Sequence, residues 1–343
     1  MTPDYGKYAK DLGESLKSIA VAPAKVILTG EHFVVYGTTA IVSAVNIYSK
    51  ATASKRRESI IVTRSGSFEC AMPTGSGCCR TLKGGDKALV LLEPISQLAQ
   101  TGLRKWAGHS TGLNLSIKSD IPVGVGLGSS AAVAVSTIAA IARLFRMRCR
   151  LETIRECAFE SERLIHKIPS GIDQTISTFG GVIAYQKEKP FRRVTLGRTF
   201  PIIIGDSGRK RSTGDIVSGV RALLAERSEM AREVLRSANM ISRKALTALR
   251  DGNARRLGQL MNQNQELLDR ISVSTTELDK MILAAREAGA FGAKLTGAGG
   301  GGCMIALASP DRIPAVVEAI REAGGTTFIA NIERRGVRSW LVN

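Results

Sequence analysis

Three glycines alternate with apolar residues in Gly124-Val125-Gly126-Leu127-Gly128, and the chain then passes through Ser129 and Ser130 into an alanine-rich apolar run. No other segment restricts the fold as much. Glycine reaches φ > 0 and lets backbone N–H groups approach an oxyanion with no Cβ in the way. Ser129 or Ser130 can cap the helix that begins there. Residues 112–118 before the loop alternate as a strand does, and residues 129–146 read as a helix. A glycine loop between strand and helix aims amides at an anion, above all a phosphate. It is not a Walker A loop, because no Gly-Lys-Ser/Thr closes it. Nor is it a dinucleotide fingerprint: the glycine spacing differs and no ribose-binding acid follows about 20 residues on.

Two other stretches carry chemistry, 169–173 (PSGID) and 294–302 (KLTGAGGGG). Asp173 is expected in a turn that follows a helix, where an aspartate either caps the chain or does chemistry. Glu162 lies on the predicted helix 151–166. Phosphoryl transfer needs one carboxylate to hold Mg²⁺ and one to take a proton from the acceptor hydroxyl. Spacing alone does not say which acid does which. Lys25 opens an apolar strand, where a lysine either snorkels to the edge or faces a carboxylate. Glu31 and His32, between Gly30 and Gly37, can form a loop that touches substrate.

Bulk properties exclude several classes. A chain of 343 residues suggests two domains. No run of 18 apolar residues is present, so no membrane span is expected. Residues 1–20 lack the apolar segment of a secretory signal, and a cytoplasmic location is expected. The six cysteines (70, 78, 79, 149, 157 and 303) have no metal-ligand spacing and are read as reduced thiols, with Cys149 and Cys157 helical. The net charge of +18 is dispersed, and five tyrosines and nine phenylalanines show no interleaving with the basic residues. That argues against nucleic-acid binding and fits small anionic ligands.

Periodicity divides the chain into two α+β modules, 1–190 and 191–343, with Pro190 and the basic stretch 191–193 as the crossover. The first module is strand-rich up to residue 64, with a helix at 86–101 and the strand, loop and helices just described. The second is almost wholly helical over 215–289. It ends as strand, helix, strand, strand over 302–342.

The three motifs together resemble the GHMP small-molecule kinase superfamily, and in detail its mevalonate kinases. Residues 22–37 are similar to the family's first motif, with its Glu-His-x-Val-Val-Tyr-Gly ending. Residues 162–173, then 177–181, resemble the mevalonate kinase signature, and 264–268, 273–275 and 294–302 are similar too. The resemblance spans about 20 to 310. It implies an N-terminal ribosomal-protein-S5-like domain and a C-terminal ferredoxin-like domain. It also implies ATP-dependent phosphorylation of the C5 hydroxyl of (R)-mevalonate, with Mg²⁺ as cofactor. Another small acceptor (phosphomevalonate, a sugar or homoserine) is the alternative.

Residue by residue, the resemblance implies Asp173 as the catalytic aspartate and Lys25 as its partner. Gly124, Gly126, Leu127, Gly128, Ser129, Ser130 and Ala131 would hold the triphosphate, and Ser130 and Glu162 the Mg²⁺. Glu31, His32, Ser170, Gly171, Thr213, Thr296, Gly297 and Ala298 would line the substrate side. The partners implied are ATP and mevalonate, without nucleic acid or membrane, and a homodimer stays open. Ala24, Lys167, Ile168 and Gln174 depart from the family's usual residues without removing a reactive group.

Overall fold

The computed structural model describes residues 16–75, 77–107, 111–165, 171–209 and 213–342, apart from the side chains of 161–165 and 213. The chain begins with β1 (Lys17–Thr29), a short 3-10 turn (Phe33–Tyr36), β2 (Ala40–Arg56), β3 (Ile60–Ser65), β4 (Phe68–Pro73) and β5 (Arg80–Lys83). Next come α1 (Gly85–Trp106), β6 (Gly112–Ser119), α2 (Ser129–Leu144), α3 (Leu151–Ile165), α4 (Ile172–Phe179), β7 (Val182–Tyr185) and β8 (Arg192–Arg193). The second half runs β9 (Pro201–Asp206), α5 (Thr213–Glu226), α6 (Ser228–Arg250), α7 (Ala254–Arg270) and α8 (Thr276–Glu287). It closes with β10 (Gly292–Leu295), β11 (Cys303–Leu307), α9 (Ile313–Glu322), β12 (Thr326–Asn331) and β13 (Arg338–Val342).

The strands form two sheets. The larger has the order β13-β1-β2-β6-β3-β4-β5, with β7 on β2 and β8 on β7; the smaller has the order β10-β11-β9-β12. Only β3 and β6 pair in parallel within this set; the remaining ladders are antiparallel. The α+β class read from the sequence is the observed one, with two sheets, although β8 and β13, both beyond residue 190, belong to the first. The chain's last strand returns to the first sheet, where β13 pairs with the start of β1.

Some local expectations are corrected. Strands continue past residue 64 as β4 and β5, and α1 runs beyond residue 101 to Trp106. The stretch 191–193 forms a hairpin with β7 instead of a crossover. Cys149 precedes α3 and is not helical. No helix of the described residues is long and apolar enough to cross a membrane.

Helix α2 organises the first module. Its residues from Ala131 onward are almost all small or aliphatic, and most are buried. It packs on β1 and β2 and against α1, α3 and α4. Short alanine side chains allow that close approach from every side. The helix thus points its N-terminus, rather than a side face, toward the molecule's surface.

The edge of β1 decides where a site can form. Its pairing with β13 stops at Val21, whereas its other edge stays on β2 as far as Thr29. Beyond Val21 the free edge needs other partners, because buried amides and carbonyls must be bonded. Leu127 O accepts the Lys25 amide at 3.0 Å. The Thr296 hydroxyl accepts the Ile27 amide at 2.9 Å and donates to the Ile27 carbonyl at 3.3 Å. The first and third glycine segments therefore complete one strand edge between them.

Candidate active site

The glycine loop has the conformation its sequence requires. Gly124, Gly126 and Gly128 have φ of +82°, +89° and +76°, in the left-handed region that a side chain makes costly. Between them Val125 and Leu127 are buried, so the apolar residues anchor the loop and the glycines face outward. Burying a side chain of that size contributes roughly 2 kcal/mol. Val125 O also accepts the Cys303 amide at 3.2 Å, tying the loop to the far side of the third segment.

Gly128 itself occupies the N-cap of α2. The expectation that Ser129 or Ser130 caps the helix is thus not met. Both serines are already helical, one residue too late to reach the orphan amides. Ser129 Oγ instead lies 3.4 Å from the Ile121 carbonyl, and Ser130 is exposed on the first turn. The amides of that turn, with the positive end of the helix dipole, remain for an anion. Ala131 is buried beneath them.

Asp173 is not in a turn. It lies in the first turn of α4, behind Gly171 at φ +75°. Thr175 Oγ1 donates to the Gly171 carbonyl at 2.6 Å, which holds this start. Ser177 Oγ, one turn on, donates to the Pro23 carbonyl at 2.9 Å. Ile172 and Ile176 share an apolar cluster with Ile27. Helix and strand are thereby fixed in register, and Asp173 Oδ1 meets Lys25 Nζ at 3.2 Å. A Cβ built on Gly128 would stand 2.9 Å from Lys25 Cγ and 3.6 Å from Asp173 Oδ2. The last glycine of the loop therefore lies directly against the ion pair. This close approach, not only the turn, demands glycine at 128.

The residues expected on the substrate side divide into two groups. His32, at φ +58°, donates from Nε2 to the Ala298 carbonyl at 2.8 Å. Gly171 stands at the mouth of α4, and Gly297 and Ala298 follow β10. Glu31 and Thr296 are the more deeply buried, at 1% and 0% against 8% for His32. The Glu31 carboxylate is sealed from solvent and paired with Lys294. The Thr296 hydroxyl is engaged with both backbone groups of Ile27, as described above. Ser170 lies outside the described residues. Thr213 begins α5 and Glu162 lies on α3, with their side chains outside the description.

Sequence reading placed Lys294 and Asn264 within family-like segments but gave neither a role. Lys294 donates to Glu31 Oε1 and to the Leu295 carbonyl. Asn264 Nδ2 donates to Glu31 Oε2 at 3.2 Å, and its Oδ1 accepts the Gly30 amide at 3.0 Å. Burial pushes Glu31 above the usual carboxylate range and Lys294 below the usual ammonium range, each pulled back by the other's charge. One signal was available: an acid and a lysine, each set in an apolar run, require partners.

The fold and this geometry can be set beside known proteins. The GHMP kinases N terminal domain family matches residues 94–181, and the GHMP kinases C terminal family matches residues 245–326. The chain is similar to mevalonate kinase of Pyrococcus furiosus, 39% identical over 335 residues that cover 94% of this chain and 98% of the relative. It is similar in structure to Methanococcus jannaschii mevalonate kinase, with TM-score 0.80 and 26% identity over 92% of this chain and 98% of that one. It is also similar to L. major mevalonate kinase in complex with R-mevalonate, with TM-score 0.79 and 28% identity over 91% of this chain and 94% of that one.

Proposed function

The chain belongs to the mevalonate kinase family of the GHMP kinases, and from that premise we propose that it transfers the γ-phosphate of ATP to the C5 hydroxyl of (R)-mevalonate. The product is 5-phosphomevalonate. The observation that carries the reading is the contact of Gly128 with both Lys25 and Asp173. A Cβ at Gly128 would meet both side chains, which supports reading the loop as an anion cradle beside an acid–base pair.

Each residue then has a task. The outward glycines and the first-turn amides of α2 receive the ATP phosphates. Lys25, buried and fixed through its own backbone to Leu127, presents an ammonium where charge builds on the transferring oxygens. Asp173 is open on one side, with its side chain 29% exposed against 6% for Lys25. The acceptor hydroxyl approaches from that open side and gives its proton to Asp173. A positioned base of this kind contributes about 10²- to 10⁴-fold. Lys25 also orients the carboxylate through Oδ1. His32, Gly171, Gly297 and Ala298 border the acceptor.

The Ser130 hydroxyl and the Glu162 carboxylate suit Mg²⁺. Both are hard oxygen donors, and this ion binds through a few such ligands while phosphate oxygens and waters complete its shell. Bound there, the ion would neutralise phosphate charge. α3 packs against α2, which brings the two donors' helices together. The reaction is assigned to the cytoplasm, where ATP and mevalonate are both soluble.

The test is ADP release with (R)-mevalonate as sole acceptor, followed by ³¹P NMR of the product. The reading requires a phosphomonoester on the C5 oxygen. ADP release with a sugar, homoserine or phosphomevalonate but none with mevalonate would overturn it.

A further inference from the structure

Two thiols meet at the far edge of the larger sheet, where β2, β6 and β3 separate them from β1. Cys70, in β4, has its Sγ 3.6 Å from the Sγ of Cys79, which directly precedes β5. Both are buried and both are free thiols. The contact has a local cause. The β4–β5 ladder shifts register between Glu69 and Cys70, and Cys70 then faces Thr81. A bulge of this kind re-aims a side chain. Side chains two apart along an extended chain share a face, which brings Cys79 to the side of Thr81 that meets Cys70.

Cys70 is also held from the helix layer. Ser96 Oγ of α1 lies 3.4 Å from its Sγ, and the same hydroxyl donates to the Leu92 carbonyl at 3.0 Å and meets Thr63 Oγ1 at 2.7 Å. Cys79 has more freedom, because it lies in coil outside the ladder. The hydrogen bond between the thiols draws Cys70 down to about 7 and pushes Cys79 up. A thiolate, not a thiol, is the sulfur nucleophile. Access comes from β5, an edge strand of four residues with Arg80, Leu82 and Lys83 exposed. Short edge segments with little buried apolar area open locally at low cost.

We propose that Cys70 and Cys79 form a redox modification site, which a hydroperoxide converts into a disulfide that ties β5 to β4. The Cys70 thiolate attacks one peroxide oxygen, and the O–O bond breaks. Cys70 becomes a sulfenic acid, and the other oxygen leaves as water or an alcohol after taking a proton. The Cys79 sulfur then attacks the Cys70 sulfur, the S–O bond breaks, and the hydroxide departs as water with the Cys79 proton. The two thiols together supply the two electrons that reduce the peroxide. The sulfurs close from 3.6 Å to about 2.05 Å, a movement that falls to the Cys79 coil. A dithiol reductant reverses the change.

The test treats the full chain with hydrogen peroxide, alkylates the remaining thiols and maps the digest by mass without reduction. A Cys70–Cys79 linkage lighter by two hydrogen atoms is expected, and dithiothreitol should remove it. Cys78→Ser, which changes the exposed neighbour, should keep the linkage. Cys79→Ser should lose it and leave Cys70 as a sulfenic acid that dimedone labels. The oxidised parent should melt at a higher temperature than the reduced one, because the bond restricts the unfolded chain. Both thiols still alkylated after Cys78 has been oxidised would overturn the proposal. So would a linkage through Cys78, or Cys70 carried to the sulfinic acid with Cys79 free. An oxidised parent that melts no higher would overturn the tie between the strands. Should Cys79→Ser fail to fold, the mapping of the parent and of Cys78→Ser decides alone.

Discussion

Asp173 Oδ1 lies 3.2 Å from Lys25 Nζ, with the lysine sealed and the aspartate open to the surface. The asymmetry gives the pair a direction. In the proposed reaction the acceptor's proton goes to Asp173 from the open side, with Lys25 behind it. Lys25→Met should leave the Asp173 side chain without its ion-pair partner. A loss of about 10²-fold or more in kcat is expected, with KM for mevalonate changed far less. Steady-state kinetics at saturating ATP would check it.

Gly128→Ala tests the contact between cradle and pair. A methyl there would stand 2.9 Å from Lys25 Cγ, in a backbone of φ +76°. Strain in the left-handed region adds of order 1–3 kcal/mol. The variant should fold with a lowered melting temperature and lose kcat by at least tenfold. Gly124→Ala, with open space around its Cβ position, should lose less.

Thr296→Val distinguishes a clamp from a substrate contact. Valine keeps the shape but leaves the buried Ile27 amide without an acceptor, costing about 1–3 kcal/mol. Stability should fall while KM for mevalonate holds within about threefold. A large rise in that KM at unchanged stability would return Thr296 to the substrate side.

The glycine loop and the two-module plan were legible because each rests on a local signal, whereas the Lys25–Asp173 pairing was implied only by the family resemblance. Alternating glycine with Val125 and Leu127 shows which side must be empty and which must be anchored. The helical start at Asp173 was not legible. Pro169, Ser170 and Gly171 read as turn residues, and α4 spans only Ile172–Phe179, too short to assert a period. The role of Lys294 was hidden for another reason. A lysine in an apolar strand looks the same whether it snorkels or is sealed, and its partner lies 263 residues away. Glu31 was read as a substrate contact from its place beside His32; its ion pair with Lys294 joins two residues far apart in sequence.

Metal dependence should follow the donor set. Ser130→Ala and Glu162→Gln are each expected to raise the Mg²⁺ concentration needed for half-maximal rate, with kcat at saturating Mg²⁺ restored in part. Superimposed Mg²⁺ titrations of variant and parent would remove that residue from the ion's shell. Chelation of divalent ions should stop turnover in the parent.

The most direct measurement is single turnover of ATP-loaded Asp173→Asn with mevalonate, paired with its ATP dissociation constant. The account predicts a rate at least 10²-fold below the parent, with ATP affinity within about threefold. A near-parental rate at that affinity would take the proton away from Asp173 and contradict the account.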